Sequence, residues 1–85
     1  MSKTFKYRVC RVERTRVTFV NGHWQGLQIP EDSSPEELYN SCPMVWDYLE
    51  ASGRDGWELV TASAQVIAYG EAGSAASLLY LKKEL

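Results

Sequence analysis

Imidazole and thiol groups are scarce in this 85-residue, 9.6 kDa chain: His23 is the sole histidine, and Cys10 and Cys42 are the only cysteines. A zinc quartet of Cys and His ligands is therefore excluded within one chain, and no CxxC spacing is present. A secretory leader is expected to be lacking, since Met1 to Lys6 contain no apolar stretch of that kind. Without one, Cys10 and Cys42 read as reduced, semi-buried thiols in the cytoplasm and not as a disulfide. No apolar run approaches the ~20 residues of a membrane-spanning helix, and internal repeats and low-complexity tracts are missing too.

What is present is ordinary globular composition, 45% apolar and 24% charged, enough for one domain over residues 1–85. A chain this short buries only about 60–65% of its unfolded surface, so its core is thin. Small folds offset that with disulfides, metal or a partner subunit. The first two are poorly provided for here, which leaves self-association.

The net charge of −2 hides a segregation of signs. Residues 1–20 carry Lys3, Lys6, Arg8, Arg11, Arg14 and Arg16 against Glu13 alone, a balance of +5. Residues 21–81 carry nine acids against Arg54, a balance of −8, and the tail restores +1. A basic strip of this kind can serve a polyanion. The alternative, favoured because an acidic whole repels polyanions at long range, is that basic strand faces pair with acids of neighbouring elements and of a second subunit.

Phe5, Tyr7 and Val9 alternate with Lys6, Arg8 and Cys10, the period of a strand with one wet face. The phase slips at Val12, and a bulge or chain reversal near Glu13-Arg14 would absorb it. Arg16 to Val20 is β-branched and aromatic, a second strand. Asn21-Gly22 then signals a type I′ hairpin, returning through His23-Trp24-Gln25 with Trp24 opposite Phe19. Ser34-Pro35-Glu36-Glu37 is a helix start with a capping box. Pro43 interrupts helical structure, so a short turn from Pro35 to about Ser41 should precede a main helix from Pro43 to Ser52. Val45, Tyr48, Leu49 and Ser52 mark its buried face, with Met44 and Trp46 flanking.

At the helix end, Gly53 reads as the left-handed C′ residue, Gly56 as a sharp turn, and Trp57 and Leu59 as the first side chains of a strand beneath the helix. Clamped in this way, the corner is structural, and Trp57→Ala should cost about 3–5 kcal/mol. Strand character runs on to Tyr69, with Val60, Ala62, Ala64 and Val66 opposite Trp57 and Leu59 in phase; a bend or bulge is expected midway. Residues 70–74 read as a loop, and Ala75 to Leu81 as a closing strand with Leu78 and Tyr80 on one face and Leu79 and Leu81 on the other. The order β-β-β-α-β-β gives an α+β domain: an antiparallel sheet of about five strands with one main helix packed on one face.

The segment Leu49-Glu50-Ala51-Ser52-Gly53-Arg54-Asp55-Gly56-Trp57-Glu58-Leu59-Val60 resembles the LxxxGxxGWELV signature of a small bacterial family catalogued as domain of unknown function 4177. Phe5 to Val9 is similar to that family's WEYKVV strand and Leu79 to Lys83 to its closing FKR strand, so the resemblance touches the start, the helix-to-strand corner and the end of the chain. The hairpin at Asn21-Gly22 and the segment Gln28 to Pro43 depart from it and read as an insertion. The resemblance implies a fold and supplies no catalytic residues.

No catalytic constellation stands out. His23, beside a turn, reads as a surface histidine, and the least an acid–base site would need is Asp32 or Glu31 beside it. Glu36-Glu37 and Glu31-Asp32 are explained by the helix dipole better than by a divalent metal. Gly70 to Ser74 lacks the lysine and following helix of a phosphate loop. Neither an enzyme nor a cofactor is expected. The leading expectation is a non-enzymatic homo-oligomeric binding or assembly module, a dimer or higher. Its interface would be the sheet face that one helix leaves uncovered, carrying Val60, Ala62, Ala64, Val66, Leu78 and Tyr80. The alternative is a nucleic-acid or nucleotide binder using the residue 1–20 strip, with Arg8, Arg11, Arg14, Arg16 and Trp24 as contacts.

Overall fold

The computed structural model describes residues 3–28, 33–69 and 72–85, and the side chains among these other than those of residues 65–75. Alternation and β-branching produce strands β1 (Phe5–Glu13), β2 (Arg16–Val20) and β3 (His23–Trp24). Helices α1 (Pro35–Asn40) and α2 (Val45–Arg54) follow, then β4 (Glu58–Tyr69) and β5 (Ala72–Glu84). The five strands form one antiparallel sheet in the order β3-β2-β1-β5-β4, which makes this an α+β fold.

The local signals account for the turns. Asn21 (φ 49°) and Gly22 (φ 83°) both take positive φ, as a type I′ hairpin requires. Trp24 pairs with Phe19 edge to face, with ring centroids 5.5 Å apart. The slip at Val12 is resolved on the neighbouring strand. β1 runs through to Glu13 and reverses at Arg14 (φ 57°), while the register with β2 shifts between Arg11 and Val12. Thr18 is the extra residue there, buried, with its hydroxyl donating to the Arg11 carbonyl at 3.4 Å.

Ser34 caps α1 by accepting from the Glu37 amide at 3.1 Å. The main helix begins two residues later than the sequence implies. Pro43 and Met44 stay extended along the edge of β2: the Val17 amide donates to the Pro43 carbonyl at 2.9 Å, and Met44 bridges to Arg16. Val45, Tyr48, Leu49 and Ser52 do form the inward face of α2. Its C-terminus corrects the reading of the glycines. Gly53 lies within the helix, and Gly56 (φ 92°) is the left-handed C′ residue. The Trp57 amide donates to the Ser52 carbonyl at 2.9 Å and the Gly56 amide to the Gly53 carbonyl at 3.1 Å, the paired bonds of a Schellman motif.

The register divides the side chains between two faces. Cys10 stands opposite both Val20 and Leu79, Val12 opposite Val17, and Arg8 opposite Leu81. Cys10, Val12, Val17, Leu79 and Leu81 are the buried core, and Val45, Tyr48, Leu49 and Trp57 pack on it. Hence the residues of β1 that alternate as if wet, Arg8 and Cys10, lie beneath the helix, and the aromatic set Phe5, Tyr7 and Val9 faces the other way. A second correction concerns β4. Its register with β5 shifts between Leu59 and Thr61, with Val60 the extra residue. Past that bulge Ala62 and Ala64 stand opposite Leu79 and Ser77, on the helix side with Leu59. The helix does not reach far along this hairpin, and Leu59, Ala62 and Ala64 remain exposed. β5 also begins earlier than expected: Ala72 to Ser74 belong to the strand, and Gly70 and Glu71 lie outside the described residues.

Candidate functional site

On the face away from α2, β1 contributes Phe5, Tyr7, Val9 and Arg11, β2 contributes Phe19, and β5 contributes Leu78 and Tyr80. None of the apolar members of this set is buried, and Tyr7 is 65% exposed. Trp24, 37% exposed, extends the set at the β3 edge. An open depression of about 470 Å³ lies in this surface, lined by Val9, Arg11, Phe19, Asn21, Gly22 and Leu78. The hairpin turn is tied into its rim. The Asn21 side-chain carbonyl accepts from the Val9 amide at 2.8 Å, and the Asn21 amide donates to the Val9 carbonyl at 2.8 Å.

The charges of this face are matched to one another. Arg11 meets Glu13 at 3.3 Å. Lys82 meets Glu58 at 3.3 Å while its ammonium lies 4.8 Å from the Phe5 ring centroid. The surface thus combines apolar side chains with locally compensated charge.

The expected basic strip is not assembled. Arg8 lies under α2, its guanidinium 4.1 Å from the Trp57 ring centroid and 5.8 Å from that of Tyr48, donating to the Ser52 hydroxyl at 3.4 Å. Arg11 is on the opposite face. Arg14 is exposed at the β1–β2 turn. Arg16 donates to the Cys42 carbonyl at 2.6 Å and lies over the Tyr39 ring. Four arginines from adjacent strands therefore point to four surroundings, and of them only Arg11 shares the face of Phe19 and Trp24.

The expected interface is likewise split. Leu78 and Tyr80 share the open face, whereas Ala62 and Ala64 are on the helix side and Val60 is exposed in the bulge. The side chain of Val66 lies outside the described residues. The bulge at Val60 is the physical reason, because one inserted residue moves every later side chain to the other face. Tyr7, Val9 and Phe19 take the place of the missing members. Their signal was in the sequence, since Cys10 and Val12 next to Val9 offer a second apolar phase on the same strand.

Gly53, Gly56, Trp57 and Leu59 do meet at one corner. Gly56 carries the turn, Trp57 is half-buried against Arg8, and Leu59 stands opposite Leu81 while remaining exposed. His23 is exposed on β3, and Glu31 and Asp32 lie outside the described residues. Trp24 is on β3 and β4 lies at the opposite edge of the sheet; residues 70 and 71 and the side chains of 72–74 lie outside the described residues. Cys10 and Cys42 are buried and free, and burial pushes both thiols up from their ordinary value, against the opposing influence of Arg8 and the Tyr48 hydroxyl on Cys10 and of Arg16 on Cys42. Among the described residues no three His, Cys, Asp or Glu side chains gather to hold a metal, and no helix is long and apolar enough to cross a membrane. No protein family, curated protein or solved structure matches this chain.

Proposed function

We propose that this chain is a non-enzymatic assembly module that pairs with a second copy of itself through the open face of its sheet. The observation that carries the reading is that Tyr7 is exposed and Phe5, Val9, Phe19, Leu78 and Tyr80 beside it are only partly buried, all on one side of a thin domain. A monomer normally avoids a contiguous apolar patch of this kind. The fold measures 52 by 27 by 19 Å, so its broad side is larger than the ~800 Å² per partner of a standard interface. Compensated charge on the face supports a copy of itself as partner, because two such surfaces meet without like-charge repulsion. Membership of the small bacterial family resembled at Leu49 to Val60 belongs to the same proposal and is supported by the glycine turn at Gly56 that leads into Trp57; a cytoplasmic setting belongs to it too, supported by the two free, buried thiols Cys10 and Cys42.

Self-association coupled to folding makes stability depend on concentration. The melting temperature should therefore rise between about 1 and about 100 μM protein, and Leu78→Arg should abolish the rise. A wild-type melting temperature that stays constant over that range would overturn the proposal.

A further inference from the structure

On the open face a protrusion stands beside a hollow. Tyr7 projects 65% exposed from β1. Val9 and Arg11, the next two residues on the same face of the same strand, line the 470 Å³ depression together with Phe19 and Leu78. At about 3.3 Å per residue, the protrusion and the hollow are offset along the strand by roughly 7–13 Å. Such a pair fits a copy of itself under one particular symmetry. A two-fold axis lying between two facing sheets, crossing β1 at right angles between Tyr7 and the hollow, brings each protrusion over the other copy's hollow. An axis along β1 would instead set tyrosine against tyrosine.

From this arrangement we infer that the hollow is the receptor for the Tyr7 ring of a second copy, so that each subunit supplies the residue that completes the other's site. This rests on the assembly proposed above and specifies its geometry: the two β1 strands cross the interface antiparallel. The chemistry of the hollow suits a phenol. Val9, Phe19 and Leu78 offer apolar walls for the ring, Arg11 offers a guanidinium for its face, and Asn21 sits at the polar rim for the hydroxyl. Its volume lies within the ~300–1,000 Å³ of sites that take small organic groups, with room for one aromatic ring. The occupant is a second copy and not a free aromatic acid because Arg11 already has Glu13 at 3.3 Å, so the site offers no unmatched positive charge.

Sedimentation equilibrium on wild type, Tyr7→Ala, Tyr7→Phe and Leu78→Arg tests the inference. Tyr7→Ala should weaken association by at least ~10-fold, as truncating a central aromatic anchor does, and Tyr7→Phe by less than ~3-fold. Both variants should melt as wild type does when dilute, because the side chain is exposed in the single chain. A second readout is independent of affinity: an equimolar mixture of Tyr7→Cys and Leu78→Cys should form a mixed disulfide under mild oxidation, and neither variant alone should do so. A dimer disrupted by Leu78→Arg but indifferent to Tyr7→Ala, with no mixed disulfide, would overturn this inference and leave the assembly proposal standing. A wild-type chain that is monomeric throughout would overturn both.

Discussion

The covered and open faces of this sheet are built from the same strands, yet they behave as different materials. On β1, Cys10 and Val12 are buried on the side of α2, while one residue out of phase Tyr7 stands in solvent and Val9 is only partly buried. On β5, Leu81 is 1% exposed and its near neighbours Leu78 and Tyr80 are only half-buried. Hydrophobicity alone does not distinguish the two sets. What distinguishes them is the inward face of one ten-residue helix and the corner that returns the chain from it. Under the proposed assembly, the covered face sets the stability of the single chain and the open face its association.

The largest expected break in this symmetry is a pair of truncations. Leu81→Ala should destabilise the fold by about 2–5 kcal/mol, through lost burial and the cavity left behind. Leu78→Ala should cost the dilute chain less, about 1–2 kcal/mol, since that side chain is only partly buried. Denaturant unfolding of the two variants gives both values, and equal losses would dissolve the distinction between the faces.

Next in size is the corner. With its indole only partly buried, Trp57→Ala should cost about 2–3 kcal/mol, below the figure for a fully buried tryptophan. Its effect should be non-additive with Arg8→Ala, because each residue is the other's stacking partner at 4.1 Å. A double-mutant cycle measures the coupling, and strict additivity would deny the stacking any energetic role.

The glycines sharpen the comparison further, with opposite signs expected three residues apart. Gly56→Ala forces a side chain into φ 92°, where its Cβ would also meet the Lys83 side chain at 3.3 Å, and should cost about 1–2 kcal/mol. Gly53→Ala lies inside α2 with nothing within 4 Å of the added carbon, and should stabilise by about 0.5–1 kcal/mol. Thermal melts decide between this assignment and its reverse.

The smallest effect is alkaline. Burial raises Cys10 above the ordinary thiol value of 9.0 and Tyr48 above 10.0. Folding thus favours the neutral forms, and that stability is fully present below the unfolded values and lost as pH climbs through the raised folded ones. In reducing buffer the melting temperature should decline from about pH 9 upward, and less steeply in Cys10→Ala. A flat profile to about pH 11 would show that neither group is coupled to folding.

Much of this arrangement could be read from the residues. Asn21-Gly22 fixed the β2–β3 hairpin through its need for positive φ, Ser34 to Glu37 declared a capped helix, and the spacing of Val45, Tyr48, Leu49 and Ser52 named the inward helical face. What could not be read was phase. Thr18 and Val60 each insert one residue into a ladder, and a period-two pattern has no means of announcing that its phase has shifted. The assignment of β1 failed for a related reason. Arg8 looks solvated in a pattern of letters, but two aromatic rings and a serine hydroxyl give its guanidinium partners beneath the helix. One main helix implies a sheet face without cover, but the residues on that face differ from those the unshifted phase implies, because Ala62 and Ala64 lie on the helix side.

The molar mass of the wild-type chain in solution, measured by light scattering at tens of micromolar beside Leu78→Arg, bears on this account most directly. Wild type should give at least twice the 9.6 kDa of one chain, and the variant should remain folded at 9.6 kDa. A wild-type mass of 9.6 kDa would mean that the apolar face stands alone in water, contrary to the account.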